Sequence, residues 1–301
     1  MKKLLAGILL CCLGITVSGQ SATNTLLWRI SGKNLTKPSY LFGTIHLLCA
    51  DDIILSDSLK RAIQKSDKVY LELDMDNVFE MLSVVNKMKM RNDTTLADLL
   101  TPAEYEKVKD FFTKQNSVLP FSMLEKYKPL LTASTIMQSS MACDNAVAME
   151  QLIMREAKKQ GKGIKGLETM AYQISIFDSI PYKVQAKQLF SYVENYNKKE
   201  DSEEFKELTD AYRKQQLSKL EELSIKEEAG FENFTNLLLY NRNINWVKKL
   251  QDLMTGNALV IAVGAGHLPG EKGVINLLRK AGYKVDPVDN KMIKTADLRE
   301  M

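Results

Sequence analysis

Short apolar runs near both ends of the chain indicate β-strands. Near the front, Thr25–Ile30 and Ser39–Phe42 are bounded apolar segments, and the connection between them, Ser31–Pro38, is polar and contains Gly and Pro. This pattern predicts an antiparallel hairpin. A further apolar run, Lys68–Leu73, predicts another strand.

Helical patterns separate these runs and complete two similar units. A helix capped by Ser56 and ending near Ser66 precedes the strand Lys68–Leu73, so strand, helix and strand form the βαβ unit of a parallel sheet. The C-terminal part has the same plan, with a strand at Ala258–Val263, a helix from about Glu271 to Ala281 and a strand at Tyr283–Asp286.

The region between the two units is mainly helical. One short strand, Gly163–Leu167, interrupts it, and the charged stretch Lys198–Glu228 is typical of a solvated helical hairpin. The predicted fold is α/β, with a mainly parallel central sheet built from two βαβ units and a helical insertion over about residues 77–254, within a single domain at 20–301. The predicted helices are Val78–Met90, Pro102–Gln115, Pro129–Met141, Asn145–Gln160, Ala171–Asp178, Val184–Asn197, Ser202–Leu223 and Phe231–Met254.

The chain contains only two histidines, and each ends a Gly-x-x-His motif directly after a predicted strand, at Gly43–His46 and Gly264–His267. Glycine at this point allows positive φ and a sharp exit from the strand. Because ligands bind at the carboxyl edge of open α/β sheets, the motifs indicate one composite site on adjacent parallel strands, for a shared metal or substrate. The alternative is two hydrogen-bonded structural histidines beside glycines that only mark turns.

Two glutamates are candidates for the same site. Glu72 lies in an apolar strand, where an unpaired carboxylate needs a cation, a metal or a proton, and Glu168 follows the strand Gly163–Leu167. Two neutral imidazoles and one carboxylate form a familiar catalytic metal set with an open position for water, and a second carboxylate can act as general base. The alternatives are a solvent-facing edge residue at Glu72 and an acid stabilised by a helix dipole at Glu168.

Arg242 lies on the last long predicted helix, one turn before Trp246. It can stack on Trp246 in a purely structural role. Alternatively, its guanidinium can orient a carboxylate or stabilise a developing oxyanion.

The N-terminus has the pattern of a secretory signal. Lys2 and Lys3 precede the apolar stretch Leu4–Val17 and the small residues Ser18 and Gly19, so a signal peptide at residues 1–19 and export to the periplasm or the medium are expected. Without Lys2 and Lys3 the formal charge falls from +4 to +2. That balance gives no reason to expect nucleic acid or an anionic membrane surface as a partner, and no later apolar stretch is long enough to cross a bilayer.

Two cysteines remain after signal cleavage, Cys49 and Cys143, and an even pair in an oxidising compartment favours a disulfide over a cysteine nucleophile at Cys49. Other chemistries lack their motifs. The loop at Gly264–Pro269 has Pro where a dinucleotide loop needs its third Gly, and there is no P-loop, no Gly-x-Ser-x-Gly elbow and no C-x-x-C pair.

Together these segments resemble the TraB/GumN family, which includes the Tiki proteins. The resemblance covers nearly the whole mature chain. It implies an α/β fold with paired Gly-x-x-His units and an inserted helical region. It rests on Leu27–Ile30, Tyr40–His46, Val69–Glu72, Gly163–Thr169 with Gln173, Arg242–Asn243 and Val263–Gly270.

By similarity to the Tiki branch, the resemblance also implies metal-dependent hydrolysis of peptide bonds in a peptide or protein substrate. His46, Glu72 and His267 would hold a divalent metal ion that activates water, with Glu168 as the proton acceptor and Arg242 in support. Two alternatives remain open, a non-catalytic protein that sequesters a peptide or a metal, and a metal-free hydrolase with His46 as base.

Overall fold

A computed structural model describes residues 24–46, 48–49, 54–115, 119–139, 146–196, 199–227 and 234–292. The predicted signal peptide and Cys143 lie outside these ranges. The strands in the described part of the chain are β1 (Leu27–Ser31), β2 (Ser39–Thr44), β3 (Leu48–Cys49), β4 (Lys68–Leu73), β5 (Ala146–Val147), β6 (Gly163–Glu168), β7 (Leu259–Gly264) and β8 (Lys284–Pro287).

The helices in the same ranges alternate with these strands or lie between β4 and β7. They are α1 (Asp57–Lys65), α2 (Val78–Ser83), α3 (Leu96–Leu99), α4 (Pro102–Lys114), α5 (Phe121–Leu124), α6 (Pro129–Ser139), α7 (Met149–Lys159), α8 (Met170–Ile176), α9 (Tyr182–Asn195), α10 (Lys199–Arg213), α11 (Leu217–Glu227), α12 (Asn241–Leu253) and α13 (Val274–Lys280). The local signals that start them are clear at α1, where the Ser56 hydroxyl accepts a hydrogen bond from Leu59 N at 3.0 Å.

Six strands form the central sheet in the order β6-β4-β7-β2-β1-β8. The first four are parallel, and β1 is antiparallel to both β2 and β8. The predicted hairpin, the mainly parallel sheet and the α/β class are confirmed. The short strands β3 and β5 form a separate two-stranded ribbon.

The two predicted βαβ units are interleaved in space. β7 lies between β2 and β4, with Tyr40 and Val69 both in register with Val260, so the strands of the first unit do not pair with each other. β8 pairs with β1 at the sheet edge rather than with β7. The Gly-x-x-His motifs therefore do lie on adjacent parallel strands, as predicted.

Helices cover both faces of the sheet, because alternate residues of each strand point to opposite sides. On one face, Val260 and Ala262 belong to a core formed with α1, α7, α10 and α11. On the other, Leu259, Ile261 and Val263 pack with α12 and α13. A third apolar core unites α3, α4, α5, α6 and α9 away from the sheet.

Several predicted helices have different bounds in the structure. The helix expected at Ser202–Leu223 is a hairpin of α10 and α11, broken where Gln215 adopts a φ of 56°. This hairpin is only partly exposed to solvent, although its charged sequence suggested a solvated one. Tyr212 of α10 is fully buried and donates a hydrogen bond to Gly43 O at 2.8 Å. The helix expected at Phe231–Met254 contains a π-helical turn at Asn236–Tyr240 before α12.

The shorter differences have local causes. α2 ends at Ser83 and continues as a 3-10 turn. α7 begins only at Met149 because β5 precedes it, and α13 begins at Val274 rather than near Glu271. Cys49 on β3 forms a disulfide, whereas its expected partner Cys143 lies outside the described residues. Within the described ranges, none of the helices has the length and apolarity needed to cross a bilayer.

Candidate active site

Four neighbouring parallel strands each bring one candidate side chain to the carboxyl edge of the sheet. In sheet order they are Glu168 at the end of β6, Glu72 near the end of β4, His267 three residues after β7 and His46 two residues after β2. Interleaving of the two βαβ units therefore places both carboxylates on one side of His267. The fifth candidate, Arg242, comes from α12, which packs on the sheet face that carries Leu259, Ile261 and Val263.

The Arg242 guanidinium lies between the two carboxylates. Its Nε donates to Glu168 Oε1 at 2.9 Å, one terminal nitrogen donates to Glu72 Oε2 at 2.6 Å, and the other donates to Leu238 O at 3.0 Å. The guanidinium also stacks on the Trp246 ring with a centroid distance of 4.8 Å. Arg242 therefore both stacks on Trp246 and pairs with carboxylates, two roles that the sequence alone presents as alternatives.

Glu72 is buried and ionised. Its Oε1 accepts a hydrogen bond from Gly264 N at 2.7 Å, and its Oε2 accepts from Arg242. Burial alone would raise the pKa of Glu72, but the protonated form of His267, the charges of Arg242 and His46 and the Gly264 N–H outweigh it and lower the pKa to about 2. The solvent-facing alternative for this residue is therefore wrong.

Glu168 is surrounded by donors but has the opposite pKa shift. Gln173 Nε2 donates to its Oε1 at 3.2 Å, and Trp246 Nε1 donates to its Oε2 at 3.0 Å. Burial raises the pKa of Glu168, and the Arg242 guanidinium only partly offsets this. Of the two glutamates, Glu168 is thus the better proton acceptor and Glu72 the more persistent anion.

His267 is buried and neutral. Its Nδ1 lies 2.6 Å from Asn243 Oδ1, which can only accept, so the proton is assigned to Nδ1 and the lone pair to Nε2. Nε2 faces an Arg242 nitrogen at 3.3 Å and Glu72 Oε1 at 3.9 Å, and the ring packs on Trp246. Burial lowers the pKa of His267 to about 4, with Glu72 opposing the shift and Arg242 adding to it.

His46 lies at the solvent-facing end of the same edge, with 75 % of its side chain exposed. Its Nδ1 lies 3.0 Å from Glu150 Oε1, and the same oxygen accepts a hydrogen bond from the Thr44 hydroxyl at 2.6 Å. The hydrogen bond to Glu150 raises the pKa of His46 to about 9. The charge of Glu72 also raises the pKa of His46, and that of Arg242 lowers it, so the exposed histidine is electrostatically coupled to the buried part of the site.

The motif glycines act through close packing rather than through positive φ. Neither Gly43 nor Gly264 has a positive φ, contrary to the sequence expectation. A Cβ on Gly264 would lie 3.3 Å from Glu72 Oε1, and one on Gly43 would lie 3.1 Å from side-chain atoms of Leu26 and Leu268. Glycine at 264 therefore lets the Glu72 carboxylate reach the backbone N–H.

Sequence reasoning missed the partners that orient the two histidines. Asn243 directly follows Arg242 and was part of the recognised motif, but its bond to His267 depends on the packing of α12 against the segment after β7. Glu150 lies in the first turn of α7, where an acid has an ordinary role in a helix, so no local signal distinguishes it.

The donor chemistry of the site suits a divalent metal ion. Both histidines have Nδ1 on an oxygen acceptor, Glu150 or Asn243, and such partners typically orient metal-ligating imidazoles so that Nε2 binds the ion. Glu72 adds an ionised carboxylate. As the side chains stand, however, no three His, Cys, Asp or Glu residues in the described part of the chain converge closely enough to hold an ion.

The chain matches the TraB/PrgY/gumN family over residues 26–287 and belongs to that family. It is 23% identical to "Metalloprotease TIKI homolog" of Amphimedon queenslandica, with 89% of this chain and 62% of the relative aligned. It is 22% identical to "Metalloprotease TIKI2" of Danio rerio, with 93% and 64% aligned, and 21% identical to "Metalloprotease TIKI1" of Homo sapiens, with 89% and 62% aligned. The chain spans less than two thirds of the length of these relatives.

Proposed function

We propose that this protein is an exported, metal-dependent hydrolase of peptide bonds. The observation that carries the proposal is the matched orientation of the two imidazoles, each with Nδ1 on an oxygen acceptor. They follow the neighbouring strands β7 and β2, and ionised Glu72 lies on β4, next to β7. The names of the relatives as metalloproteases support the same reaction class.

His46, Glu72 and His267 would hold the ion, because they offer two imidazole nitrogens and one carboxylate. A divalent ion bound there supplies Lewis acidity and lowers the pKa of a coordinated water. Glu72 suits a ligand role because its low pKa keeps it anionic at neutral pH. His267 needs no deprotonation, since its pKa lies near 4, whereas His46, with a pKa of about 9, would release a proton when it binds the ion.

Glu168 would act as the general base. Its raised pKa favours proton uptake, and Oε2 has one donor, Trp246 Nε1, so a lone pair remains for the proton of the attacking water. The proton then passes to the leaving amine as the C–N bond breaks. Arg242 holds both carboxylates in position and offers positive charge to the oxyanion that develops on the substrate carbonyl.

Export is supported by the N-terminal sequence pattern and by the disulfide at Cys49, since structural disulfides persist in oxidising compartments. A metal-free hydrolase is the second candidate, and one observation favours it. The Arg242 guanidinium already pairs with both carboxylates and faces His267 Nε2 at 3.3 Å, so each buried carboxylate has a cationic partner without an ion.

Metal analysis of the purified protein combined with a peptide-library cleavage assay tests the proposal. Cleavage should stop after exhaustive chelation and return with a divalent transition ion. His46→Ala and His267→Ala should be inactive but folded. The control is Glu104→Gln, which changes a glutamate of α4 that pairs with Lys187 away from the central sheet and should leave turnover intact.

Each remaining outcome selects another function. Undiminished cleavage after chelation would establish the metal-free hydrolase. Retained binding of a peptide or metal without any turnover under metal-replete conditions would instead indicate a sequestering protein.

A further inference from the structure

α2 exposes apolar side chains to an unusual degree. This helix has no buried residue, and Phe79 is 87%, Leu82 67% and Val78 60% exposed. Met81 of the same helix is also exposed, and Met75, Val85 and Tyr172 extend the exposed surface beyond the helix; α2 and these three residues are called the apolar patch. Contiguous exposed apolar surfaces in soluble proteins mark interaction sites.

The backbone of α2 is fixed in place, so the exposure does not reflect a loosely attached helix. Asn77 caps its N-terminus, and Glu80 accepts a hydrogen bond from Met170 N at 2.7 Å, which attaches α2 to the start of α8. Just before α2, Asp76 forms an ion pair with Lys158 at 2.7 Å. The nearby acidic groups therefore have partners, whereas the large apolar side chains point outward.

A basic cavity of about 270 Å³ lies beside the apolar patch, between the segment that follows α2 and α8. Four cationic side chains line it, Lys87, Lys89, Arg91 and Lys128, against a single carboxylate, Asp178. The Lys128 ammonium is buried and lies 3.2 Å from Asp178, which also pairs with Arg91 at 3.1 Å. Three positive charges remain in excess around the cavity.

We propose that the apolar patch and the basic cavity form one docking surface for an anionic lipid bilayer. The side chains of α2 would enter the interfacial region, and Lys87, Lys89 and the cavity would receive anionic headgroups. Apolar side chains next to lysine and arginine are the combination by which peripheral proteins bind such membranes.

Charge complementarity decides between a lipid surface and other occupants. The small net charge of the whole chain gives no reason to expect a membrane, but the cations are concentrated where the apolar side chains are exposed. A second copy of the chain would bring the same cations against one another, whereas anionic headgroups neutralise them. The inference is independent of the proposed hydrolysis, although β4 leads directly from Glu72 to Met75, so docking would hold the candidate site close to the lipid.

Vesicle co-sedimentation of the full mature chain tests the inference. Binding is expected to phosphatidylcholine vesicles that contain phosphatidylglycerol, with weaker binding to pure phosphatidylcholine and at high salt. Phe79→Ser with Leu82→Ser should weaken binding at least about tenfold through lost apolar burial, and Lys87→Glu with Lys89→Glu should do so through lost charge. All four residues are exposed, so the variants should remain folded by circular dichroism.

The matched controls change equivalent exposed residues elsewhere. Ile244→Ser removes an exposed apolar side chain of α12, and Lys60→Glu with Lys65→Glu reverses two charges on α1, and both should bind vesicles as the wild type does. In a separate measurement, Phe79→Trp should show a blue-shifted emission on addition of anionic vesicles.

Three results would overturn the inference. One is no binding to anionic vesicles at low salt, or binding that neither the double serine variant nor the double glutamate variant changes. Another is concentration-dependent dimerisation without lipid that Phe79→Ser with Leu82→Ser abolishes, which assigns α2 to a second copy. The third is normal vesicle binding by these variants with a raised KM for peptides, which assigns α2 to the substrate.

Discussion

At the residue scale, one buried cation is shared by two buried carboxylates. Arg242 contacts Glu72 and Glu168, and all three side chains are nearly inaccessible to solvent. Breaking such a group by removing one member leaves uncompensated buried charge, which costs far more than losing an exposed ion pair. Arg242 is therefore expected to matter for stability whatever reaction the site performs.

Arg242→Met should lower the free energy of unfolding by roughly 3–5 kcal/mol, because it leaves two carboxylates facing each other without a cation. Adding Glu168→Gln should recover part of this loss. Urea unfolding measures both, and Arg61→Met on the exposed face of α1 is the control, with an expected change within about 0.5 kcal/mol. A cost in Arg242→Met as small as that of the control would contradict the buried-charge account.

The tautomer of His267 gives a second prediction. Asn243 Oδ1 can only accept a hydrogen bond, so His267 should carry its proton on Nδ1 at neutral pH. Nitrogen chemical shifts of the imidazole should show this state in the wild type and in Asn243→Asp, which keeps the acceptor. Asn243→Ala should give a mixture of tautomers and, if the site binds a metal, an affinity about 10–100-fold weaker. An Nε2-protonated ring in the wild type would exclude the assigned orientation.

At the element scale, β3 and β5 tie the segment after His46 to the start of α7. Leu48 pairs with Val147 and Cys49 with Ala146, and Cys49 is in a disulfide. His46 lies two residues before β3, and its partner Glu150 lies three residues after β5. This ribbon therefore holds the exposed histidine and its orienting carboxylate in register.

Cys143 is expected to be the disulfide partner, because it lies three residues before Ala146, which pairs with Cys49. Non-reducing digestion and mass spectrometry should recover a peptide pair that contains both cysteines. Cys49→Ser should destabilise the protein by about 2–5 kcal/mol in the oxidised state, and reduction should abolish the difference from wild type. Recovery of Cys143 as a free thiol would refute the pairing.

Elements defined by local signals were predictable from the sequence, and those defined by distant contacts were not. The hairpin β1–β2 and the strands β4 and β7 follow from bounded apolar runs, and α1 follows from its Ser56 cap. The position of β7 between β4 and β2 depends on pairing between residues about 190 to 220 positions apart, which no local pattern encodes. The π-helical turn before α12 was likewise hidden within a continuous helical pattern.

At the scale of the whole molecule, the same division applies to the site. The four candidates carried by strands or by the segments after them lie at the carboxyl edge of the sheet, and Gly-x-x-His after a strand fixes where each histidine emerges. Arg242 reaches this edge from α12. Their electrostatic state could not be read from the sequence. It depends on α7 and α12, which place Glu150 beside an exposed histidine and Asn243 beside a buried one.

This difference between the histidines makes stability depend on pH in a defined way. The pKa of His267 falls from 6.5 to about 4 on folding, so the unfolded chain binds more protons between these values and acidification from pH 6.5 to 4 favours unfolding. Glu72, lowered from 4.5 to about 2, adds to the loss below pH 4.5, whereas the raised pKa of Glu168 opposes it. His46, raised from 6.5 to about 9, stabilises the fold below pH 6.5 and loses this effect as the pH rises through 9.

The ion-free protein should accordingly show its highest Tm near pH 6.5, with an acid limb that depends on His267 and a shallower alkaline limb that depends on the largely exposed His46. Thermal unfolding at constant ionic strength, from pH 3 to pH 10, measures both limbs. His267→Gln should flatten the change in Tm between pH 6.5 and 4, while His46→Gln should flatten only the change in Tm between pH 6.5 and 9. Each variant is therefore the control for the other. If His267→Gln kept the acid limb of the wild type, burial of a neutral imidazole would not be its cause, and the assignment of His267 as a ready neutral ligand would fail with it.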